Sequence, residues 1–256
     1  MENLKDQLKL ARPFLIKNRD RVLYRSTRYL EDTDWAVKKS PTNRTPRDTP
    51  QYLHEIFDEY LEQRVGHRYR SAAIFCADDI SIAENYANNH NDLGNDTSDT
   101  VHNVYIVIPQ GHYELCYDPG VEDLYDWVDS NFSMVSAIAF SAKVDDRTQA
   151  MKTLTDWTQK HADKYGLNLD TYSPLLERDV IKYASKLLDM VVSSDNPARR
   201  EFLSMFLDIF DYRTSDIVPA TKTEIMVKCD SYLLIDVDFY ESTEIQQLID
   251  QVIKDE

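Results

Sequence analysis

The chain has 256 residues, of which 42% are hydrophobic, and its 45 acidic and 29 basic side chains give a formal net charge of −16 at pH 7. This excess of negative charge argues against a broad nucleic-acid or anionic-membrane surface, because such surfaces need a positive field. The five glycines are too widely spaced to form the glycine-rich loops of Rossmann or P-loop phosphate sites.

The sequence also carries expectations about location and cysteine chemistry. The first residues, MENLKDQLKLARPF, mix charged with apolar side chains and lack the apolar core of a secretory signal. Apolar runs are much shorter than the stretch that spans a membrane, so we expect a cytoplasmic protein. The three cysteines are widely separated, and we expect buried free thiols rather than a disulfide framework or a zinc site.

The first quarter of the chain is predicted to contain two helices and a short strand. Apolar spacing predicts a helix over residues 3–17, followed by a strand at 22–25. Residues 31–48 are rich in turn-forming residues and are predicted to be irregular. A second helix is predicted to begin at Pro50 and to end at Gly66.

The next part of the chain is predicted to contain three strands and a helix. The apolar segment 72–76 is predicted as a buried strand, and 81–87 as a short helix. A strand at 104–108 is predicted to form a hairpin with 113–117 across the turn at 109–111.

The second half is predicted to be helical first and β-rich afterwards. Helices are predicted at 151–165, 173–190 and 196–209, strands at 224–227 and 232–237, and a last helix from Ser242. Because strands lie on both sides of the helical block, the pattern predicts one α+β domain over 1–256 with a helical insertion at about 147–210.

Three segments carry residues that are able to do chemistry. Residues 24–27 (YRST) place a cation and two hydroxyls at the end of a strand, and residues 223–227 (TEIMV) place a carboxylate at the start of one. Residues 73–87 (AIFCADDISIAENYA) run from a strand into a helix, with an aromatic ring on each. Each segment alone has an ordinary explanation: the arginine fits the edge of a sheet, the two aromatic rings fit a core, and the glutamate fits a solvated strand end. The interpretation therefore depends on the combination of the three segments.

Together the three segments resemble the ADP-ribosyltransferase superfamily. Residues 73–78 are similar to the strand G-I-Y-F-A-D of the poly(ADP-ribose) polymerase-type signature, and Asn85-Tyr86 to the S-x-N-Y at the end of its helix. Thr223-Glu224-Ile225-Met226-Val227 is similar to the catalytic strand N-E-Y-I-V, and Arg25 matches the cation of the opening strand. The resemblance implies a split antiparallel β-sheet core with a helical insertion.

The reaction explains why these residue types are needed. Breaking the bond between nicotinamide and ribose C1′ passes through a positively charged sugar, which a carboxylate stabilises as it does in glycosidases. Glu224 is the candidate carboxylate, Tyr86 the candidate ring that stacks on nicotinamide, and Arg25 the candidate cation for the diphosphate. The resemblance implies catalytic roles for these three residues, with NAD consumed as a substrate and no metal. The candidate NAD-binding residues are Arg25, Ser26, Thr27, Ser71, Phe75 and Tyr86.

Several positions depart from the family pattern. Ala73 replaces the leading glycine, and Ala83 stands where the family often has its nicotinamide-binding serine, so Ser71 or Ser81 would have to substitute. Lys222 stands two residues before the candidate glutamate, where arginine-modifying members have Gln or Glu. That difference argues against arginine as the acceptor.

Basic residues are concentrated in two places despite the acidic total. Arg44 and Arg47 flank a proline at 46, and residues 67–70 have the sequence HRYR. The first group is positioned to border the NAD site, to bind a target or to flank the start of a helix. The second is positioned to neutralise the NAD phosphates or to anchor the helix that ends at Gly66.

The sequence therefore predicts a mono-ADP-ribosyltransferase that modifies a macromolecule, with a protein as the expected acceptor, and releases nicotinamide. Other classes stay open. They are an inactive relative, an enzyme that hydrolyses NAD or removes an RNA phosphate, and a non-enzymatic acidic protein that mimics DNA and binds a basic partner.

Overall fold

The computed structural model describes residues 2–28, 30, 33–46, 51–92, 102–122, 124, 156 and 210–255. The chain divides into two compact units. One comprises Met1–Thr45, Leu61–Glu122 and Tyr212–Glu256, and the other Pro46–Tyr60 and Asp123–Asp211. All the described strands belong to the first unit.

The described part of the chain contains both helices and strands, so the predicted α+β class is confirmed. The helices are α1 Glu2–Leu10, α2 Arg12–Lys17, α3 Gln51–Val65, α4 Tyr69–Ala72, α5 Ile80–Asp92, α6 Val237–Glu241 and α7 Thr243–Lys254. The strands are β1 Leu23–Arg28, β2 Trp35–Lys39, β3 Ile74–Ala77, β4 His102–Tyr117, β5 Arg213–Ser215 and β6 Glu224–Asp236.

Two long strands, β4 and β6, form the backbone of the sheet. They pair antiparallel from Tyr105 opposite Asp236 to Tyr117 opposite Ile225. The strand order is β2-β6-β3-β1-β4-β5, and because β6 also pairs with β4, the strands β6, β3, β1 and β4 close into a small barrel. β4 and β6 have long apolar runs rather than a strict alternation of apolar and polar residues, which is typical of strands covered on both faces.

The hairpin predicted across 109–111 is wrong, because β4 runs through these residues without turning. The left-handed φ of +70° at Gly111 instead accommodates a β-bulge that follows Gln110. Gln110 is buried, and its amide nitrogen donates to the backbone and side-chain oxygens of Gln7 while its oxygen accepts from Ser231. Pairing with β6 therefore outweighs the turn propensity of this segment.

Two other predictions also missed residues that pair in the sheet. The strands predicted at 224–227 and 232–237 are one strand, because the intervening residues continue to pair with β4. The stretch 31–48, predicted to be irregular, contains β2, which pairs with the second half of β6. The predicted helical insertion at 147–210 and its three helices lie outside the described residues, apart from Asp156, and stay predictions together with the single-domain boundary.

Helices at both ends of the chain cover the sheet. The helix predicted at 3–17 is interrupted at Ala11, just before Pro13, and forms α1 and α2, which bury the four predicted apolar residues Leu4, Leu8, Phe14 and Leu15. The predicted last helix is confirmed as α7, whose first turn is capped by the Ser242 side chain. No helix among the described residues is long and apolar enough to cross a membrane.

Asn18 joins three elements at the end of α2. It is 3% exposed, and its side-chain nitrogen lies 3.1–3.2 Å from the carbonyl oxygens of Phe14 and Asp216 and from the Tyr113 hydroxyl. Its side-chain oxygen accepts a 2.7 Å hydrogen bond from the backbone nitrogen of Val218. The segment before β6 is thereby attached to α2 and β4.

We expect Asn18→Ala to lower the free energy of unfolding by about 2–3 kcal/mol, because it leaves buried backbone groups without partners. Urea unfolding followed by circular dichroism measures the loss. Asn43→Ala, at an exposed position, is the matched control and should change stability by less than about 0.5 kcal/mol. Equal losses in the two variants would contradict this role for Asn18.

The three cysteines are buried free thiols, as predicted. Burial raises the pKa of Cys76 to about 12 and that of Cys229 to about 11, and it also raises the pKa of Cys116. Because the thiolate is the reactive form, we expect almost no reaction with Ellman's reagent at pH 8 in the folded protein. All three thiols should react after unfolding in guanidinium chloride. A thiol that reacts in the folded protein as fast as free cysteine would contradict the described burial.

Candidate functional site

The three strands that carry the sequence-predicted residues are direct neighbours. β3, with Phe75, pairs with β1, which carries Arg25, on one side and with the start of β6, which carries Glu224, on the other. Tyr24, Ala77 and Glu224 form one row across the three strands. Segments far apart in the sequence therefore meet in one region of the first unit.

The row also determines which side chains share a face. Facing residues of paired strands point to the same side and successive residues alternate, so Phe75 lies on the face of Ala77 and Glu224. Arg25 follows Tyr24 in the strand, so its side chain leaves the backbone on the opposite face. Its Nη1 donates a 2.7 Å hydrogen bond to the carbonyl oxygen of Phe75. The structure thus brings Arg25 to the backbone of Phe75 and not into the row with Glu224.

Phe75 is the centre of a cationic cluster. The guanidinium carbons of Arg44 and Arg70 lie 4.4 and 4.9 Å from the centroid of its ring, within the range of cation–π interactions. The backbone nitrogen of Arg44 donates a 2.8 Å hydrogen bond to the carbonyl oxygen of Ser71 in α4. This contact holds the backbone of Arg44 next to α4 and supports the position of its guanidinium over the ring.

Glu224 is buried and paired with one member of that cluster. Arg70 Nη1 lies 3.3 Å from Glu224 Oε1, and the two residues are 5% and 8% exposed. Pairing compensates the cost of removing both charges from water, and removal of one partner would leave the other charge buried. The ordinary alternative of a solvated glutamate at a strand end therefore does not apply to Glu224.

Further buried polar groups surround the start of β6. The Thr223 hydroxyl lies 2.6 and 2.5 Å from the carbonyl oxygens of Asp118 and Val121, and the Glu224 backbone nitrogen donates to Val121 at 3.3 Å. Tyr212 is buried nearby, and burial together with the negative charge of Glu224 raises its pKa well above the usual value. Sequence reasoning quoted Thr223 only as the first residue of the Glu224 segment and gave its hydroxyl no role. It missed Tyr212, which lies outside every segment singled out in the sequence.

The segment before Glu224 is attached to the end of β3. The Asp78 carboxylate accepts hydrogen bonds from the backbone nitrogens of Thr221, Lys222 and Thr223 at 2.7, 3.1 and 2.8 Å. Lys222 has a left-handed φ of +52°. Its Nζ lies 2.9 Å from Asp79 Oδ2, and hydrogen bonds from Ser81 and Lys222 lower the pKa of Asp79 to about 2.

The remaining predicted residues lie around this region. Ser26 and Thr27 are half-buried on β1, and the Ser26 hydroxyl is buried with no hydrogen-bond partner in the described structure. Ser71 is half-buried in α4. Tyr86 is half-buried on α5, a helix that packs against β1, β3 and β4. The stacking role of Tyr86 and the NAD contacts of the other three residues stay predictions.

The described side chains provide cations and hydroxyls rather than a metal centre. Among the residues with described positions, no group of three or more His, Cys, Asp or Glu side chains is arranged to hold a metal ion. Arg44 and Arg70 place their guanidinium groups over the Phe75 ring, and guanidinium groups are suited to a phosphate-bearing ligand. Searches against protein-family models, curated proteins and solved structures find no match to this chain.

The Arg70–Glu224 pair has a matched control in the same part of the chain, since Arg68 and Glu62 form an exposed pair at 2.8 Å. We expect Arg70→Met to lower the free energy of unfolding by about 3–5 kcal/mol, because it leaves a buried carboxylate uncompensated. Arg68→Met should cost about 1 kcal/mol or less. Urea denaturation of both variants measures the difference.

A double variant tests whether the loss comes from the unpaired charge. Adding Glu224→Gln to Arg70→Met removes the buried charge, so the double variant should be more stable than Arg70→Met alone. Equal costs for Arg70→Met and Arg68→Met would contradict a buried, energetically coupled pair.

Proposed function

We propose that the chain is an NAD-dependent mono-ADP-ribosyltransferase that transfers ADP-ribose to a macromolecule and releases nicotinamide. The observation that supports this most is that β3 pairs with both β1 and β6, so that the Phe75 ring and the Glu224 carboxylate share a face. The proposal combines this adjacency with the resemblance of the same three segments to the ADP-ribosyltransferase superfamily.

The proposed reaction breaks one bond and forms one bond at the ribose C1′ carbon. The bond to the nicotinamide nitrogen breaks and its electron pair leaves with nicotinamide, while an acceptor nucleophile bonds to C1′ and loses a proton. Glu224 stabilises the positive charge that develops on the ribose. Arg70, bound to one oxygen of Glu224, holds that carboxylate in position.

The cations near Phe75 are proposed to bind the diphosphate. Arg44 and Arg70 lie over the ring on the face that also carries Glu224. Arg25 uses one donor on the Phe75 carbonyl, and a guanidinium has five N–H donors, so a phosphate contact by its other donors is part of the proposal. Tyr86 is proposed to stack on nicotinamide, with Ser26, Thr27 and Ser71 as hydrogen-bonding residues.

A second candidate, an inactive relative that binds NAD without cleaving it, is favoured by the burial of Glu224. Glu224 is 8% exposed and is paired with a buried arginine. A ribose reaches such a carboxylate only if residues around it rearrange on binding. A fold that retains the pair for stability alone would not rearrange in this way.

Nicotinamide release tests the proposed function. The purified chain is incubated with NAD, nicotinamide is quantified by chromatography, and ADP-ribose transferred to lysate proteins is detected by mass spectrometry. By analogy with loss of a donor that stabilises transition-state charge, Glu224→Gln should lower kcat by about 10²–10³-fold. Glu244→Gln, at an exposed position of α7, is the matched control and should leave kcat unchanged.

Three outcomes separate the candidates. Nicotinamide release with transfer supports the transferase, and release without transfer to any component supports an NAD hydrolase. Binding of NAD in a thermal-shift assay without nicotinamide release supports the inactive relative. A folded wild-type chain that neither binds nor cleaves NAD would overturn the proposal.

A further inference from the structure

Asp78 connects the end of β3, which carries Phe75, to the segment just before β6, which carries Glu224. It follows the last residue of β3 directly, and the backbone groups that it binds belong to the three residues immediately before β6. Its Oδ2 accepts from Thr221 at 2.7 Å and Lys222 at 3.1 Å, and its Oδ1 accepts from Thr223 at 2.8 Å. One carboxylate therefore accounts for three consecutive backbone donors.

The backbone conformation explains how three consecutive N–H groups converge on one carboxylate. Lys222 adopts a φ of +52°, and a left-handed residue within a turn directs successive N–H groups toward one point, where they bind an anion. This conformation is unfavourable for a residue with a side chain. The three hydrogen bonds that Asp78 accepts offset this cost, so the position does not need a glycine.

A second contact connects the same segment to α5. The Lys222 ammonium group pairs with Asp79, which also accepts from the backbone nitrogen of Ser81 at the start of that helix. Lys222 is 68% exposed in this pair, so the ion pair is weak in water. The Asp78 hydrogen bonds therefore attach the segment to the end of β3 more strongly than this ion pair does, while the Thr223 hydroxyl attaches its last residue to Asp118 and Val121.

We infer that Asp78 is a positioning residue for Glu224, because it fixes the three preceding residues against the end of β3. Ala77 faces Glu224 in the β3–β6 ladder. Asp78, the residue after Ala77, therefore binds the residues that directly precede Glu224. Without this attachment, the backbone nitrogens of residues 221–223 lose the hydrogen bonds to the residue that follows β3. Glu224 keeps its pair with Arg70 and its bond to Val121, but it shifts more easily from the row with Ala77. The consequence for catalysis rests on the proposed function, whereas the attachment itself does not.

Hydrogen exchange of the wild-type chain and Asp78→Asn tests the attachment directly. Thr221 and Lys222 are exposed, yet their backbone N–H groups should exchange slowly in the wild type because they are hydrogen-bonded. Asparagine offers one acceptor oxygen instead of two, so exchange at 221–223 should become at least about tenfold faster. Asp230→Asn, which removes the same charge at an exposed position of β6, should leave exchange at 221–223 unchanged. Equal protection in Asp78→Asn and the wild type would overturn the inference.

Kinetics test the positioning role. If the wild type releases nicotinamide, Asp78→Asn should lower kcat by about tenfold or more while KM for NAD changes by less than about twofold. Asp78→Glu keeps both oxygens and should recover part of kcat and part of the protection. An unchanged kcat despite faster exchange would overturn the positioning role and leave the transferase proposal intact.

Two further readouts keep the outcomes distinct. A wild type without NAD cleavage but with protection that Asp78→Asn removes would overturn the proposed function and leave the attachment supported. Thermal unfolding identifies a variant that fails to fold. In that case Asp78→Glu, compared with the wild type at a temperature where both are folded, gives the deciding exchange measurement.

Discussion

Antiparallel pairing of β4 with β6 is the constraint on which the rest of the first unit depends. β6 offers its other edge to β3 at one end and to β2 at the opposite end, and β4 similarly binds β1 and β5. The register of β6 on β3, at the edge that β4 leaves open, sets where Glu224 lies relative to Phe75. A shift by one residue would move Glu224 to the other face of the sheet and away from Arg70.

The surroundings of the Phe75 ring are positively charged, although the whole chain is strongly negative. In a protein of formal charge −16, two guanidinium groups lie over one ring, and one of them is buried with Glu224. Buried ion pairs are weak evidence for stability, since apolar residues of similar volume often serve as well. A chemical role for the carboxylate would explain why this pair is kept, whereas a purely structural role would leave its burial as an argument for the inactive relative.

Sequence reasoning predicted local elements well and long-range relationships less well. The helix ending at Gly66 and the capped helix after Ser242 follow from local signals, and the structure has them at the predicted positions. The turn expected at 109–111 is absent because pairing with a distant strand decides the local conformation there. The burial of Glu224 was equally inaccessible, since it depends on Arg70, 154 residues away in the chain. The adjacency of the strands that carry Arg25, Phe75 and Glu224 could only be expected from the resemblance.

The closed barrel has a consequence for biosynthesis. Its closing strand, β6, lies more than 100 residues after β4 in the sequence, although the two are direct partners. During translation, the edge of β4 that binds β6 therefore stays unpaired with β6 until more than 100 further residues have been synthesised. Such late, sequence-distant pairing slows folding and exposes strand edges to other chains. The edge of β4 that later binds β6 is therefore the place where we expect association with other chains during synthesis.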